Sequence, residues 1–163
     1  MRHASVKWDR RFLGLAAHIA TWSKDPSTKC GAVIVRPDRT IASMGYNGFP
    51  RGVEDDPLLL ENREEKYKRV VHAEMNALLF LREATDGLTL YTWPLPPCCR
   101  CAACLGQTSV RRVVSPRGSG PLWDRHDVSL TRQLLIAARI ELEEVDYAAS
   151  DDYWGAAGRD GSS

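Results

Sequence analysis

Two short segments bring together residue types suited to metal-assisted proton chemistry: His72-Ala73-Glu74 and Pro97-Cys98-Cys99-Arg100-Cys101. Cys98 and Cys101 are three positions apart, and in the first turn of a helix that spacing sets both sulfurs on one face, where they can clamp one ion. A helix amino end carries partial positive charge, which favours thiolate over thiol and makes the pair better ligands. Neutral His72 supplies a third donor. Two sulfurs and one imidazole suit zinc, and three protein ligands leave its fourth tetrahedral position open to water, as in a catalytic site. Zinc lowers the pKa of a bound water from about 15.7 to about 7, so hydroxide becomes available near neutral pH. Glu74, two residues from His72, can reach that water from an irregular helix start and serve as proton shuttle, not as a ligand.

Each residue also has a plainer reading. A lone His at a helix start is usually structural, and a lone Glu in a first turn complements the helix dipole. Both meeting a Cys-x-x-Cys raises them above that. The competing arrangement is a closed structural site of one His and three Cys, with Cys104 or Cys99 as fourth ligand. Cys101 and Cys104 also form a second Cys-x-x-Cys one turn further on. Pro97 favours the earlier pair, because proline prefers a helix start and sets Cys98 and Cys101 in the first turn. Cys30, beside Gly31 at the opening of a strand, reads as a small buried hydrophobe.

Both segments need elements to hold them. Trp8, Phe12, Ala16, Ile19 and Ala20 recur at helical spacing and predict a first helix with one apolar face. Residues 31–36 form a Val- and Ile-rich strand, Pro37-Asp38-Arg39 a turn, and 41–46 an antiparallel return, since so short a connection cannot make a parallel crossover. Residues 47–69 form a long connection, functional or partly helical, whose run Glu61-Asn62-Arg63-Glu64-Glu65-Lys66 reads as solvated surface. Helices follow over 73–84, ended by Gly87, over 99–108 and over 127–139, alternating with strands at 88–92, 112–115 and 140–145. Strands separated by single helices predict parallel pairing. The order αββαβαβαβ therefore predicts an α/β fold, a mixed sheet between helix layers that opens with an antiparallel hairpin. The helix starts at His72 and Cys98 then converge at one edge of the sheet, where ligands of open α/β sheets sit. Residues 1–146 read as one domain, and 147–163, rich in Ala, Ser, Asp and Gly, as a flexible tail.

Composition sets the outer limits. A chain of 163 residues with 44% apolar content fits one domain with one core. Lys plus Arg number 22 and Asp plus Glu 21, a net charge of +1, so no global field draws the chain to nucleic acid or an anionic membrane. An anionic ligand has to be met by a local cluster. The apolar run 12–20 follows Arg10-Arg11 and imitates a twin-arginine export signal, but it contains Gly14 and His18 and falls far short of the ~18–20 residues that span a bilayer. No membrane partner is expected. Five cysteines, four of them between Cys98 and Cys104, make no disulfide ladder and point to a reduced, cytoplasmic, metal-binding use.

His-Ala-Glu with Pro-Cys-x-x-Cys is the signature of zinc nucleobase deaminases, and the chain resembles the deoxycytidylate (dCMP) deaminase family of the cytidine deaminase superfamily. The likeness runs from about Trp8 to Asp146, through Ser23-Lys24-Asp25-Pro26, Gly31-Ala32-Val33-Ile34-Val35, Gly45-Tyr46-Asn47-Gly48-Phe49-Pro50, His72-Ala73-Glu74-Met75-Asn76-Ala77 and Pro97-Cys98-Cys99-Arg100-Cys101-Ala102. The zinc motif marks the superfamily, and the stretch Gly45-Tyr46-Asn47-Gly48-Phe49-Pro50 followed by His-Ala-Glu-x-Asn-Ala narrows it. The resemblance implies a three-layer α/β/α cytidine-deaminase-like fold with a five-stranded mixed sheet. It also implies zinc-dependent hydrolysis of the 4-amino group of dCMP to dUMP and ammonia, in pyrimidine nucleotide metabolism.

The same resemblance implies site roles. His72, Cys98 and Cys101 would hold Zn²⁺, and Glu74 would carry a proton from water to ring N3 and then to the departing amine. Asn47 would touch the sugar, and Ser23-Lys24 would face the sugar-phosphate side, although Asn47-Gly48 is also a common turn pair and Ser23 a plausible cap. A homo-oligomer, dimer or hexamer, and dCTP and dTTP as regulators belong to the same expectation. After Ser115 the family's Tyr- or Lys-bearing segment near the phosphate is replaced by Pro116-Arg117-Gly118-Ser119-Gly120-Pro121-Leu122-Trp123-Asp124, where Arg117 could replace a cation and Trp123 could stack on a ring. Two alternatives stand beside this reading: a deaminase of another nucleoside, nucleotide or free base, and a non-catalytic zinc-stabilised interaction module. A nucleic-acid editor needs a basic track and stacking aromatics, against which the balanced charge argues.

Overall fold

The computed structural model describes residues 2–148, with side chains from Val6 onward, so the expected tail from residue 149 lies outside the described residues. Its sheet is built around β1 (Gly31–Val35), all five residues of which are buried. Ala32 and Ile34 enter one helix layer and Val33 and Val35 the other, the alternation of a strand covered on both faces. β2 (Ile41–Tyr46) and β3 (Thr89–Trp93) pair with it antiparallel, so that Gly31 faces Tyr46 on one side and Trp93 on the other. β4 (Arg112–Pro116) and β5 (Glu141–Val145) extend the sheet in parallel, giving the order β2-β1-β3-β4-β5. The expected hairpin and mixed sheet are present. β2 and β3, consecutive along the chain, are not partners, because β1 lies between them.

One face of the sheet is covered by α1 (Arg2–Ala20), whose Phe12, Leu13, Ala16 and Ile19 pack on Val33, Val35, Tyr91 and Val114. The other carries α4 (Ala73–Phe80), α5 (Cys99–Leu105) and α7 (Val128–Ala137), which bring Ala73, Ala77, Ala102, Leu105 and Leu135 onto Ala32, Ile34, Leu90 and Val113. Helix, sheet and helix thus form three layers. Two glycines set how closely the layers approach. A Cβ on Gly31 would lie 2.1 Å from Ala16 O, and one on Gly45 would lie 2.6 Å from both Ala73 O and Ala77 N. α1 is also pinned by charge, for Asp9 accepts from Tyr91 Oη at 2.7 Å and from Arg112 at 2.8 and 2.9 Å.

Three short helices complete the fold, two of them in the connection read as functional or partly helical and a third, after β4, not expected. Within 47–69 the chain forms α2 (Pro57–Glu61) and α3 (Arg63–Arg69), capped by Asp56 and Asn62, whose side chains accept from Leu58 N and Glu65 N. α6 (Pro121–Arg125) stands between Gly120, at φ 102°, a conformation that favours glycine, and Asp127, at φ 50°, a left-handed position that Asp tolerates. None of the three carries a buried apolar side chain, so hydrophobic periodicity gave no sign of them. The helix from Ala73 ends at Phe80, not at residue 84. Leu81 turns extended to pack on the core, and Glu83 beyond it meets Arg36 at 2.8 Å. Among the described residues no helix is long and apolar enough to cross a membrane.

Candidate active site

α4 and α5 both begin on the face away from α1, and each begins on a chemistry-bearing residue. His72 and Cys98 are the N-cap residues, in extended conformation, and neither spends its side chain on capping. Both are thereby left to face one another. His72 Nδ1 lies 3.4 Å from Cys98 Sγ and 3.3 Å from Cys101 Sγ, and the three ligand atoms fall within 4.8 Å of one another. Glu74 stands beside this group, with Oε2 3.9 Å from Cys101 Sγ. Cys104, one turn further along α5, is exposed, and Cys99 is half-buried; neither joins the group. A closed site of three Cys and one His is not formed.

The electrostatics are those of a half-buried, proton-sharing cluster. Cys101 beside it, opposed by burial and aided by His72, holds the Cys98 thiol down to about 3, while the Cys101 thiol is driven up by Cys98 and by burial. Cys98 raises His72. Burial raises the Glu74 carboxyl, against the opposing charge of His72. Two sulfurs and an imidazole nitrogen, already convergent, are the donor set that zinc selects, and binding would displace the protons they carry. With three such donors and a carboxyl next to them, the cluster can hold a metal and exchange a proton at the same place.

A cavity of about 320 Å³ opens over these residues. Asn47 lines it and is buried, but its amide is committed to the protein: Oδ1 accepts from Cys30 N at 2.8 Å, and Nδ2 donates to Thr28 O at 2.9 Å. Cys30 is half-buried and also on the wall. Ser23 and Lys24 are not on it. Ser23 Oγ is buried, donating to Asn47 O at 2.9 Å and accepting from Asp25 N at 3.2 Å, and Lys24 points to solvent, paired with Asp55 at 2.6 Å. The residue of that segment which reaches the wall is Asp25. Arg117 and Trp123 are likewise elsewhere. Arg117 pairs with Asp146 at 3.0 Å and Trp123 lies over Gly118, while Arg125 and His126 of the same stretch line the cavity.

Sequence reasoning also passed over Arg63 and Lys66, both on the wall, the second only 2% exposed in a run read as solvated. A signal existed in that run. Glu64 with Lys68 and Glu65 with Arg69 satisfy one another at i,i+4 on the outer side of α3, which leaves positions 63 and 66 for the inner one.

Comparison with known proteins gives a consistent result. The family described as the cytidine and deoxycytidylate deaminase zinc-binding region matches residues 6–116. An uncharacterized deaminase of Aliivibrio fischeri is 36% identical over 138 residues, 83% of this chain and 92% of its own length. A probable deoxycytidylate deaminase of Caenorhabditis elegans is 37% identical over 147 residues, 88% of this chain and 72% of that protein. Among solved structures, the dCMP deaminase of cyanophage S-TIM5 superposes with a TM-score of 0.63 at 24% identity, covering 85% of this chain and 98% of that one. Acinetobacter baumannii RibD gives 0.60 at 26% identity, over 86% of this chain and 36% of its own. Both share the fold.

Proposed function

Since this chain belongs to the cytidine and deoxycytidylate deaminase zinc-binding family, we propose that it hydrolyses dCMP to dUMP and ammonia, with zinc as cofactor. The observation that carries the reading is the convergence of His72, Cys98 and Cys101 within 4.8 Å, beside a buried carboxyl at the base of a cavity. His72, Cys98 and Cys101 would hold the ion, which when bound would supply an activated water. Glu74 moves the protons. As the water oxygen bonds to C4 and the C4–N4 bond breaks, Glu74 accepts a proton from the water, places it on ring N3, and returns the second to the leaving amine. Burial, which raises this carboxyl above the usual carboxylate range, favours its holding the proton that it must then pass on. Asn47 fixes the Thr28 and Cys30 backbone beside the sugar. Ser23 fixes Asn47 in turn.

Specificity for a nucleotide rests, in this proposal, on Arg63 and Arg125. They come from α3 and α6, line the same cavity, and have no carboxylate partner among the described residues. Guanidinium groups match a phosphate bidentately. The test is ammonia release by the zinc-loaded protein from dCMP, CMP, deoxycytidine, cytosine, adenosine and guanine. dCMP should be the best substrate; equal turnover of deoxycytidine would remove the phosphate reading, and inertness towards every cytosine compound would remove the function. Homo-oligomerisation and response to dCTP and dTTP belong to the same proposal, checked by sedimentation and by adding each nucleotide to the assay. So does a cytoplasmic location, where five free thiols stay reduced.

A further inference from the structure

The chemistry above makes no use of a buried ion pair in the cavity wall. Lys66 Nζ lies 2.9 Å from Asp25 Oδ1, with the two side chains 3% and 8% exposed, and 3.1 Å from Ser27 Oγ. Charges withdrawn from water in this way are costly unless their lone pairs and protons are met. Those of Asp25 are met. Oδ1 also accepts from Ser27 N at 2.8 Å and Thr28 N at 3.1 Å, and Oδ2 faces Asn47 Nδ2 at 3.4 Å. One carboxylate therefore joins the loop before β1, the residue after β2, and α3. All of these groups line the cavity.

What α3 would do without the pair follows from its packing. Lys66 is the one buried residue of α3, and α2 has none. α3, Arg-Glu-Glu-Lys-Tyr-Lys-Arg, has no apolar stripe to fix its register, so the pair takes the place that a buried Leu would usually fill. α3 also carries Arg63 and Tyr67, both on the cavity wall, with Arg63 Nε donating to Tyr67 Oη at 3.0 Å. We infer that Asp25 and Lys66 are a positioning pair that registers α3 against the loop before β1 and so shapes the ligand-binding wall, acting on substrate affinity and not on bond breaking. This rests on the deaminase reading for its kinetic consequence alone.

The test uses the zinc-loaded full chain with Lys66→Met, Asp25→Asn and the double variant. Each single change should raise KM for dCMP about tenfold or more and leave kcat within about threefold, with zinc content unchanged. The double variant should be no worse than the worse single, since the two act as one unit. KM unchanged, kcat lowered at constant KM, or effects that multiply in the double variant would each overturn the inference. If Lys66→Met does not fold because it strands the Asp25 charge, the double variant, which removes both charges, carries the measurement. Amide hydrogen exchange supplies a readout independent of the substrate. Residues 25–28 and 63–70 should exchange faster in the variants while 73–80 and 99–105 stay protected, and unchanged exchange would overturn the pair's role. A wild-type protein that deaminates nothing would sink the functional reading and leave this second measurement standing.

Discussion

Glu74 is buried at the amino end of α4, next to two sulfurs and an imidazole, yet its oxygens stand outside the group of three ligand atoms. In the proposed reaction a carboxyl so placed moves a proton and does not hold the ion. Glu74→Gln should therefore retain zinc, measured by metal analysis, while kcat falls by about 10²–10⁴-fold, the usual scale of acid–base catalysis. The cysteines divide as sharply. Cys98→Ala should abolish zinc retention, and Cys104→Ala, altering an exposed side chain one turn away, should leave both zinc content and activity unchanged. Equal loss in both would restore the closed structural site. At this scale the metal cluster was legible because ligand spacing is a local property of two helix starts. Lys66 and Arg125 were not, since nothing in a charged run or a Gly- and Pro-rich stretch states which side chain turns inward.

At the scale of the element, position depends on how closely helices can lie on the sheet. α4 touches β2 through Gly45, and a methyl group there would sit 2.6 Å from Ala73 O and Ala77 N, both backbone atoms that cannot yield without moving the helix. Gly45→Ala should cost about 1–3 kcal/mol in a denaturant melt, the scale of overpacking. It should also weaken zinc binding, because the displaced turn carries Glu74 and follows His72. α1 is held on the opposite face by the Asp9, Tyr91 and Arg112 contacts, where burial and then the Asp9 carboxylate raise the Tyr91 phenol well above its usual value. A folded-state pKa above the unfolded one gives stability that is complete below about pH 10 and declines as pH rises beyond it toward the folded value. Tyr91→Phe should be less stable at neutral pH, by about 1 kcal/mol for the lost hydrogen bond, and its alkaline decline should be shallower than wild type in melts taken across pH 9–11, as unfolded tyrosine titrates near about 10.

For the whole molecule, the two helix starts that form the cluster belong to α4 and α5, packed into one layer against β1, β3 and β4. A metal bound there staples that layer, and binding to the folded state alone stabilises it by about 4 kcal/mol at a thousandfold excess over Kd. Chelation should lower the melting temperature reversibly, and added zinc should restore it; an unchanged melt would mean that the ion does not bind the folded state. The sequence by itself determined the hairpin, the alternation of helices and strands, and the residue types that meet as ligands. These are encoded in period, turn chemistry and short spacings, each set by neighbours along the chain. Tertiary structure alone decided that β1 would separate β2 from β3, that Ser23 and Lys24 would stay off the cavity wall while Asp25 reached it, and that Lys66 would be buried by a partner far away in sequence. Burial of a charge depends on what the rest of the fold places against it, and no local pattern of residues carries that information.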